Sequence, residues 1–421
     1  MSSPGKQRSL TLSDKLKAFG RASEAAGKMG ALRGRAEAMM AVQSSALDAD
    51  PFRLNVLNGT LEIRQRDDGA NYVELRPHDP DDLITRIAPV TYDPKAECPT
   101  YEAFLSRVQP SSDNRRFLHQ WGGLCLTGDV SHQVLLFNWG NGKNGKSTLF
   151  ETWARIIGDY ARTVPIETFL DNGRPRNASQ PTPDLANLAG VRFLRTSEPE
   201  KGAKLAEALI KLATGGEPML VRHLNRDPFE LRPQFKLTMS GNHRPRIDGA
   251  DEGIWRRVKM LPWTVQIPDA ERDLKLTEKL HAEASGILNR LLDGLCDLMD
   301  NGICEPSDVT TATAEYRSES DPLGRFMSTC TAHASGERVQ SSVLYDLFIA
   351  WAEANGAPPW KQAGFSRALS ERGYKRKQSD VVWWLDIRTV RRIADFIDQD
   401  GKALKRNADE WDGDDARATS G

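Results

Sequence analysis

One eight-residue segment limits what this chain can fold into more than any other part of its sequence. Residues 140–147 read Gly-Asn-Gly-Lys-Asn-Gly-Lys-Ser and match the pattern G-x-x-x-x-G-K-[ST] at every position. The apolar residues 133–137 before this segment predict a buried strand, and residues 148–157 after it predict a helix with an apolar face. A strand, a glycine-rich loop and a helix in this order predict an α/β fold built around the loop.

The chemistry of such a loop requires these residue types in this order. Glycines let backbone N–H groups turn towards phosphate oxygens, and the N-terminus of the following helix adds its positive end. Lys146 is expected to reach the β- and γ-phosphates, and the Ser147 hydroxyl is expected to ligate Mg²⁺. We therefore predict that the loop binds a nucleoside triphosphate. The residues predicted to contact this nucleotide are Gly140, Asn141, Gly142, Lys143, Asn144, Gly145, Lys146, Ser147 and Thr148.

Two further strand-like runs end in polar residues suited to a hydrolysing site. The run 191–197 is followed by Glu198, and an acid at the end of a neighbouring strand holds Mg²⁺ through water and polarises the attacking water. Glu200 is close enough in sequence to share this role. The run 235–240 is followed by Asn242, whose polar side chain is suited to sense the γ-phosphate or to align the water.

Basic residues cluster after these runs. A double glycine at 215–216, then alternating residues, predict a hairpin between the strands of the core. The polar residues that this hairpin would present are Arg222, His223, Asn225 and Arg226. Residues 221–260 contain nine Lys or Arg against five Asp or Glu. A basic hairpin facing a channel binds phosphates whatever the base sequence, whereas the alternative is an edge hairpin with solvated charges.

Composition excludes several classes of protein. The 57 Lys and Arg balance 58 Asp and Glu, for a formal net charge of −1, which excludes a histone-like polycation and an acidic disordered tail. No apolar run approaches the roughly 20 residues of a membrane span, and the N-terminus leads into no apolar signal core. The five cysteines form no CxxC pair, so neither a disulfide framework nor a zinc knuckle is indicated. We expect a cytoplasmic protein with no membrane partner.

The order of the motifs resembles a superfamily 3 helicase, a branch of the AAA+ ATPases. The loop, the strand-end acid, the basic hairpin, the strand-end Asn242 and the pair Arg256-Arg257 follow one another as in that family. Other segments are similar to phage and plasmid primase-helicases. The segments that carry the similarity are 46–51, 54–60, 75–80, 83–86, 197–198, 209–211, 214–216, 235–237, 241–247 and 254–257.

The resemblance implies a ring, expected to be a hexamer, that translocates on single-stranded DNA by hydrolysing ATP with Mg²⁺. Lys146 and Ser147 would be its phosphate-loop residues, Glu198 its Walker B acid and Asn242 its sensor. Arg256 or Arg257 would complete the site of a neighbouring subunit as the arginine finger, and the sequence leaves that choice open.

The resemblance also implies partners and an origin. Single-stranded and forked DNA are the expected substrates. The resemblance is also compatible with a primase or polymerase partner that is encoded separately. The expected source is a phage, prophage or plasmid in the cytoplasm of a bacterial host.

The sequence departs from the family pattern in two respects. Many family members end the Walker B strand with tandem acids, whereas Ser197 precedes Glu198 here, which leaves the role of Glu200 open. Larger members carry an N-terminal primase domain, and this chain begins too late to contain one. We therefore expect no primer synthesis by this polypeptide.

The C-terminal part predicts a separate basic module. Helix-like residues 341–352 and 365–369 precede the strand-like run 381–385, and this order is similar to the winged helix of the same family. Residues 361–392 contain nine Lys or Arg against three Asp or Glu, which favours contact with the DNA backbone. The residues expected at the wing are Lys375, Arg376 and Lys377. Packing between subunits or docking of a partner is the alternative.

Together these features predict an α/β fold with an AAA+ P-loop ATPase core, preceded by a small α+β and helical domain and followed by a winged-helix domain. An amphipathic helix that includes Leu274 is expected over residues 270–300. The predicted segments are a basic helical lead-in at 1–47, an α+β and helical collar region at 48–130, the ATPase core at 131–270, a helical subdomain at 271–325, the winged-helix-like domain at 326–395 and a flexible tail at 396–421. The alternative to a helicase is an ATP-driven initiator or loader that remodels DNA complexes without processive unwinding.

Overall fold

The computed structural model describes residues 11–43, 46–173, 181–247, 252–357, 360–398 and 402–404. Most of the flexible tail predicted at 396–421 and the first ten residues of the lead-in therefore lie outside the described residues. Contacts divide the chain into two compact units. One contains residues 1–50 and 78–86, and the other contains residues 51–77 and 87–421.

The first unit contains two helices, α1 (Leu12–Ser23) and α2 (Ala26–Met39). Helix α1 begins with a capping box, because the Thr11 hydroxyl accepts a hydrogen bond from the backbone N–H of Asp14 at 3.3 Å and the Asp14 carboxylate accepts one in return. Neither of these described helices buries a side chain. Their apolar residues, Leu12, Leu16, Phe19, Met29, Leu32 and Met39, are exposed within the unit.

The second unit begins with a small antiparallel sheet of β1 (Arg53–Val56), β2 (Gly59–Gln65) and β3 (Asn71–Arg76). The first two strands form a tight hairpin in which Val56 pairs with Gly59. Two helices follow, α3 (Pro99–Val108) and α4 (Ser112–Leu124). Their buried faces contain the core residues Phe104, Leu105, Val108, Phe117, Leu118 and Trp121.

The centre of this unit is a five-stranded sheet, which confirms the predicted α/β class. Its strands, in spatial order, are β10 (Val258–Pro262), β4 (Leu135–Trp139), β9 (Lys236–Gly241), β6 (Phe193–Thr196) and β5 (Ala161–Val164). Every neighbouring pair in the sheet is parallel. Strand β4 is the buried strand predicted before the loop. Parallel strands require crossover connections and covered faces, which explains the nearly continuous apolar runs in the sequence.

Helices and one hairpin connect the central strands. The connecting helices are α5 (Lys146–Ile157), α6 (Pro183–Ala186), α7 (Glu207–Gly215) and α8 (Glu252–Trp255). The hairpin predicted after the double glycine is formed by β7 (Met219–Val221) and β8 (Phe229–Leu231). The double glycine itself ends α7, with Gly216 in the left-handed region at φ 74°.

Lys236 is buried at the start of β9. Its ammonium group donates hydrogen bonds to the backbone carbonyls of Thr127, of Asp129 at 3.2 Å and of Gln234 at 3.0 Å. Burial lowers the pKa of Lys236 to about 7. The Thr127 and Asp129 carbonyls lie in the loop before β4, so Lys236 ties this loop to the start of β9.

The single amphipathic helix predicted over residues 270–300 is wrong. The structure contains α9 (Leu276–Ala282) and α10 (Ala284–Asn301) instead, separated at Glu283. The Glu283 carboxylate accepts hydrogen bonds from the backbone N–H groups of Thr100 at 3.0 Å and Tyr101 at 2.9 Å, in the first turn of α3. Leu274 lies before both helices and is 83% exposed, so it is not part of a buried helical face.

The C-terminal part has its own core. Helix α11 (Ser307–Glu319) packs on the central core through Ala312 and Tyr316. The elements that surround the C-terminal core are, in chain order, α12 (Pro322–Cys330), β11 (Thr331–Gln340), α13 (Ser341–Ala354), α14 (Gln362–Glu371), β12 (Arg376–Gln378) and β13 (Val382–Thr389). The three strands form an antiparallel sheet with β13 in the middle. Trp384 of β13 is fully buried in a cluster with Phe348, Trp351 and Phe365.

Membrane-spanning helices and cysteine pairing can be assessed over the described part of the chain. No helix there combines the length and the apolar character needed to cross a membrane. The five cysteines, all of which lie within the described residues, are free thiols.

Candidate nucleotide site

The loop at 140–147 and the two predicted strand ends meet at one edge of the parallel sheet. Strand β4 leads into the loop, β6 leads to Glu198, and β9 lies between them and leads to Asn242. The loop, Glu198 and Asn242 line a single cleft of about 930 Å³. Ligands in open α/β sheets bind outside the carboxyl ends of the strands, and this cleft has that position.

Glycine is required at two positions of the loop. A Cβ on Gly140 would lie 2.2 Å from the Trp263 carbonyl oxygen, so no larger residue fits beside β10. Gly145 adopts φ 83°, which an L side chain rarely tolerates, immediately before α5. The buried Asn144 amide donates hydrogen bonds to the Asn141 carbonyl and, at 3.4 Å, to the Trp263 carbonyl. The loop conformation is therefore fixed by packing against β10 as well as by its own sequence.

Lys146 projects from the first turn of α5 and is almost completely buried. Its ammonium group donates a hydrogen bond to the Gly140 carbonyl across the loop. Burial lowers the pKa of Lys146 to about 8, and the nearby Glu198 carboxylate acts in the opposite direction. A cation held in this way is stabilised by an incoming phosphate, because the phosphate supplies the negative charge that the protein site lacks.

Glu198 and Asn242 are joined directly. The Glu198 carboxylate accepts a hydrogen bond from the backbone N–H of Asn242, and both residues line the cleft with Ser147. The preceding Ser197 hydroxyl accepts a hydrogen bond from the backbone N–H of Ile166 at 2.9 Å. This contact gives Ser197 a structural role. Glu200 is exposed and lies outside the set of residues that line the cleft.

The far side of the cleft was not identified from the sequence. It is formed by α3 and by the segment 267–277, including the exposed Leu274. Lys143 at the tip of the loop makes an ion pair with Asp269, with an N–O distance of 2.8 Å, and Arg107 of α3 makes another with Glu271 at 2.9 Å. The sequence pattern that identifies the loop ends at α5. It therefore does not predict the ion pairs that Lys143 and Arg107 make with distant residues.

The two arginines after α8 have different environments. Arg257 is buried, and its guanidinium donates to the Thr214 hydroxyl at 3.1 Å, the Gly253 carbonyl at 2.6 Å and the Gln133 side-chain oxygen at 3.2 Å. Arg256 is exposed and donates to the same Gln133 oxygen at 3.1 Å. Neither arginine lines the cleft of its own chain.

The basic hairpin lies apart from the nucleotide cleft. Its turn places Leu224, Asn225 and Arg226 in solvent, with Asn225 at φ 56°. The Arg222 guanidinium donates to the Arg226 carbonyl at 2.9 Å, and the His223 ring stacks on Phe229 with centroids 5.4 Å apart. Two of the four predicted residues, Arg222 and His223, therefore also stabilise the hairpin.

The basic residues predicted at the wing are exposed. Lys375, Arg376 and Lys377 lie at the edge strand β12 or just before it, and all three are exposed. They pair along β13, where Arg376 lies opposite Trp384 and Lys377 opposite Trp383. Trp384 is buried and Trp383 is half-buried, whereas the three basic residues at this edge are exposed.

The residues that face the cleft suit Mg²⁺ bound mainly by phosphate and water. Among the described residues, no cluster of three His, Cys, Asp or Glu side chains is present that would hold a metal ion by itself. Ser147 supplies a hydroxyl and Glu198 a carboxylate among the residues that line the cleft. Mg²⁺ in nucleotide sites keeps several waters and takes one or two protein ligands, so this donor set fits the ion.

Two domain families match parts of this chain. Residues 7–110 match a domain described as D5 N terminal like, and residues 318–383 match one described as Poxvirus D5 protein-like. Among solved structures, the apo C-terminal region of NrS-1 aligns with a TM-score of 0.46 and 10% identity over 77% of this chain and 82% of that chain.

Similar proteins of large DNA viruses are named as helicases or primases. A protein of Acanthamoeba polyphaga mimivirus named as a putative helicase is 26% identical over 329 residues, which cover 73% of this chain and 34% of the relative. A putative helicase of Frog virus 3 is 26% identical over 271 residues, covering 60% and 28%. A putative primase of African swine fever virus is 25% identical over 216 residues, covering 51% and 22%. The chain thus spans about a third or less of the length of these relatives.

The resemblance seen in the motifs is confirmed at the level of the family, while a phage or plasmid origin stays a prediction. The two D5-type domain matches and the relatives named as putative helicases or primases of large DNA viruses are consistent with the superfamily 3 primase-helicase family that the motifs resemble.

Proposed function

We propose that this chain is the motor part of an ATP-dependent DNA helicase that translocates on single-stranded DNA as a ring, with six subunits as the expected number. The observation that carries the proposal is the convergence of Lys146, Glu198 and Asn242 at one sheet edge, where all three line a single cleft. The helicase names of the viral relatives support the same conclusion.

In the proposed reaction the buried Lys146 binds the β- and γ-phosphates, and its hydrogen bond to the Gly140 carbonyl is exchanged for phosphate contacts. The Ser147 hydroxyl and, through water, the Glu198 carboxylate would hold Mg²⁺, which neutralises phosphate charge when bound. Glu198 also orients and polarises the attacking water. Asn242, whose backbone is hydrogen-bonded to Glu198, is the sensor of the γ-phosphate.

Arg256 is exposed and Arg257 is buried, and this difference favours Arg256 as the arginine finger. A residue that completes the site of a neighbouring subunit must be accessible on the surface of its own chain, and Arg256 meets this condition. Arg257 is held by three hydrogen bonds inside the fold, where it anchors α7 and the end of α8. We therefore assign Arg256 to the neighbour's nucleotide and Arg257 to stability.

Two exposed basic elements are proposed to bind DNA. The hairpin tip around Arg226 suits the phosphates of a single strand inside a ring, because such contacts need charge but no base sequence. The C-terminal helices and antiparallel sheet are proposed to form a winged helix, with the edge strand at Lys375, Arg376 and Lys377 against the DNA backbone.

Lys146→Ala is expected to lower ATP hydrolysis by about 10²–10³-fold or more, because the site loses the cation that stabilises the phosphate charge. Arg155→Ala is the matched control, since Arg155 is an exposed cation on the same helix whose ion pair with Glu151 is long, at 3.7 Å. Steady-state phosphate release measures both variants. Full turnover by Lys146→Ala would contradict the assignment of the loop.

Arg226→Ala is expected to weaken stimulation of hydrolysis by single-stranded DNA and to reduce the salt dependence of DNA binding by about one unit of slope. Arg232→Ala is the control, because Arg232 is exposed just beyond the other strand of the hairpin. Binding titrations over a range of salt concentrations measure the slope. Equal slopes of DNA binding against salt for the two variants would contradict the proposed contact between the hairpin and DNA.

Arg256→Ala is expected to fold normally and to lose hydrolysis by about 10³-fold, the effect of removing an arginine finger. Mixing it with Lys146→Ala subunits should restore part of the activity, because each such interface can combine an intact loop with an intact finger. Arg257→Ala is the contrasting variant, expected to lower the free energy of unfolding by about 2–4 kcal/mol because buried polar groups lose their partners. Absence of restoration at every mixing ratio would contradict a shared site.

A further inference from the structure

We infer that Trp139 and Arg244 are positioning residues that hold the backbone of Asn242 and connect it to the helix before Arg256. The inference rests on the proposed function, because it assigns these residues to the sensor of the same nucleotide site. Trp139, Arg244, Tyr316 and Glu319 are called the sensor clamp below.

Trp139 joins the start of the phosphate loop to the sensor. It is the last residue of β4 and directly precedes Gly140. In the parallel register it lies opposite Gly241, and its indole N–H donates to the Asn242 carbonyl at 3.2 Å. Glu198 holds the N–H of the same residue. The peptide groups on both sides of the Asn242 side chain are therefore fixed by residues of the two neighbouring strand ends.

Arg244 fixes the Trp139 ring in turn. Its guanidinium carbon lies 4.0 Å from the centroid of that ring, and it makes an ion pair with Glu319 of α11 at 2.6 Å. The Arg244 side chain is only 13% exposed, and its Nε has no hydrogen-bond partner among the described residues. A guanidinium buried to this extent needs its aromatic and carboxylate partners, so its position is set by both.

Helix α11 extends the clamp towards Arg256. The Tyr316 hydroxyl donates to the Pro245 carbonyl, in the segment that follows the sensor. The Tyr316 ring packs edge-on against Trp255, the last residue of α8, with centroids 5.3 Å apart. Arg256 is the next residue. One helix thus contacts both the sensor segment and the base of the proposed finger.

The physical consequence is a mechanical link between two nucleotide sites. A shift of Asn242 on loss of the γ-phosphate would move the Trp139 and Arg244 contacts, and α11 would carry that movement to α8. Close-packed side chains transmit such displacements because they have no free space in which to absorb them. The sensor of one subunit is in this way coupled to the finger that serves its neighbour.

Trp139→Phe tests the inference with a small change, since it keeps one aromatic ring under Arg244 and removes the indole N–H donor together with the rest of the indole. We expect kcat for ATP hydrolysis to fall about tenfold, the rate equivalent of one lost hydrogen bond, with KM for ATP changed less than about twofold. In an Asn242→Ala background the same substitution should change kcat by less than about twofold, because it acts through Asn242.

Trp121→Phe is the matched control. The Trp121 indole N–H donates at 2.9 Å to the Thr238 hydroxyl of the same strand β9, away from the strand end. This variant loses an equivalent bond in the core and should keep its kcat. Arg244→Lys and Glu319→Gln are second variants that alter the clamp from the surface side, and both should lower kcat with little effect on KM.

The outcomes separate the inference from the proposed function. If Asn242→Ala loses hydrolysis but Trp139→Phe and Arg244→Lys keep the full kcat, the inference is overturned and the proposed function stands. Equal losses of kcat with and without Asn242 would also overturn it, because they would indicate general destabilisation. Full hydrolysis by Asn242→Ala, or no hydrolysis by the wild-type chain, would overturn the proposed function and the inference with it.

Discussion

Parallel pairing of β4 with β9 is the contact on which the candidate site depends. In this register Trp139, the residue before the loop, lies opposite Gly241, the residue before Asn242, so the loop and Asn242 begin at the same level of the sheet. Strand β6 pairs along the other edge of β9 and delivers Glu198 to the same place. Because β9 lies between the other two strands, Asn242 can be bonded from both sides, by Glu198 and by Trp139. The chemistry at the sheet edge follows from the strand order.

Much of this arrangement could be predicted from the sequence, since its signals are local. The loop pattern, the apolar strand before it and the helix after it are contiguous, and the strand ends at Glu198 and Asn242 are marked by a change from apolar to polar residues. Other features could not be predicted because they depend on distant partners. The break at Glu283 leaves the helical spacing of leucines almost intact and is explained only by the N-terminus of α3, which that carboxylate caps.

The arginine pair shows most clearly what the sequence leaves open. Arg256 and Arg257 are adjacent and chemically identical, yet one is exposed and the other is inside the fold, bonded to Thr214 and Gly253. Two consecutive residues at the end of a short helix point in different directions, so one anchors the helix and the other is available to a neighbour. The sensor clamp then connects this helix, through Tyr316 and Trp255, to the segment that follows Asn242.

The central claim is that nucleotide hydrolysis in this cleft drives strand separation. The most direct measurement is displacement of a labelled strand from a forked DNA duplex, in the presence and absence of ATP, with the wild-type chain and Lys146→Ala side by side. The account predicts displacement that requires both ATP and Lys146. Hydrolysis stimulated by single-stranded DNA without any displacement would contradict it and would favour an initiator or loader that remodels DNA complexes.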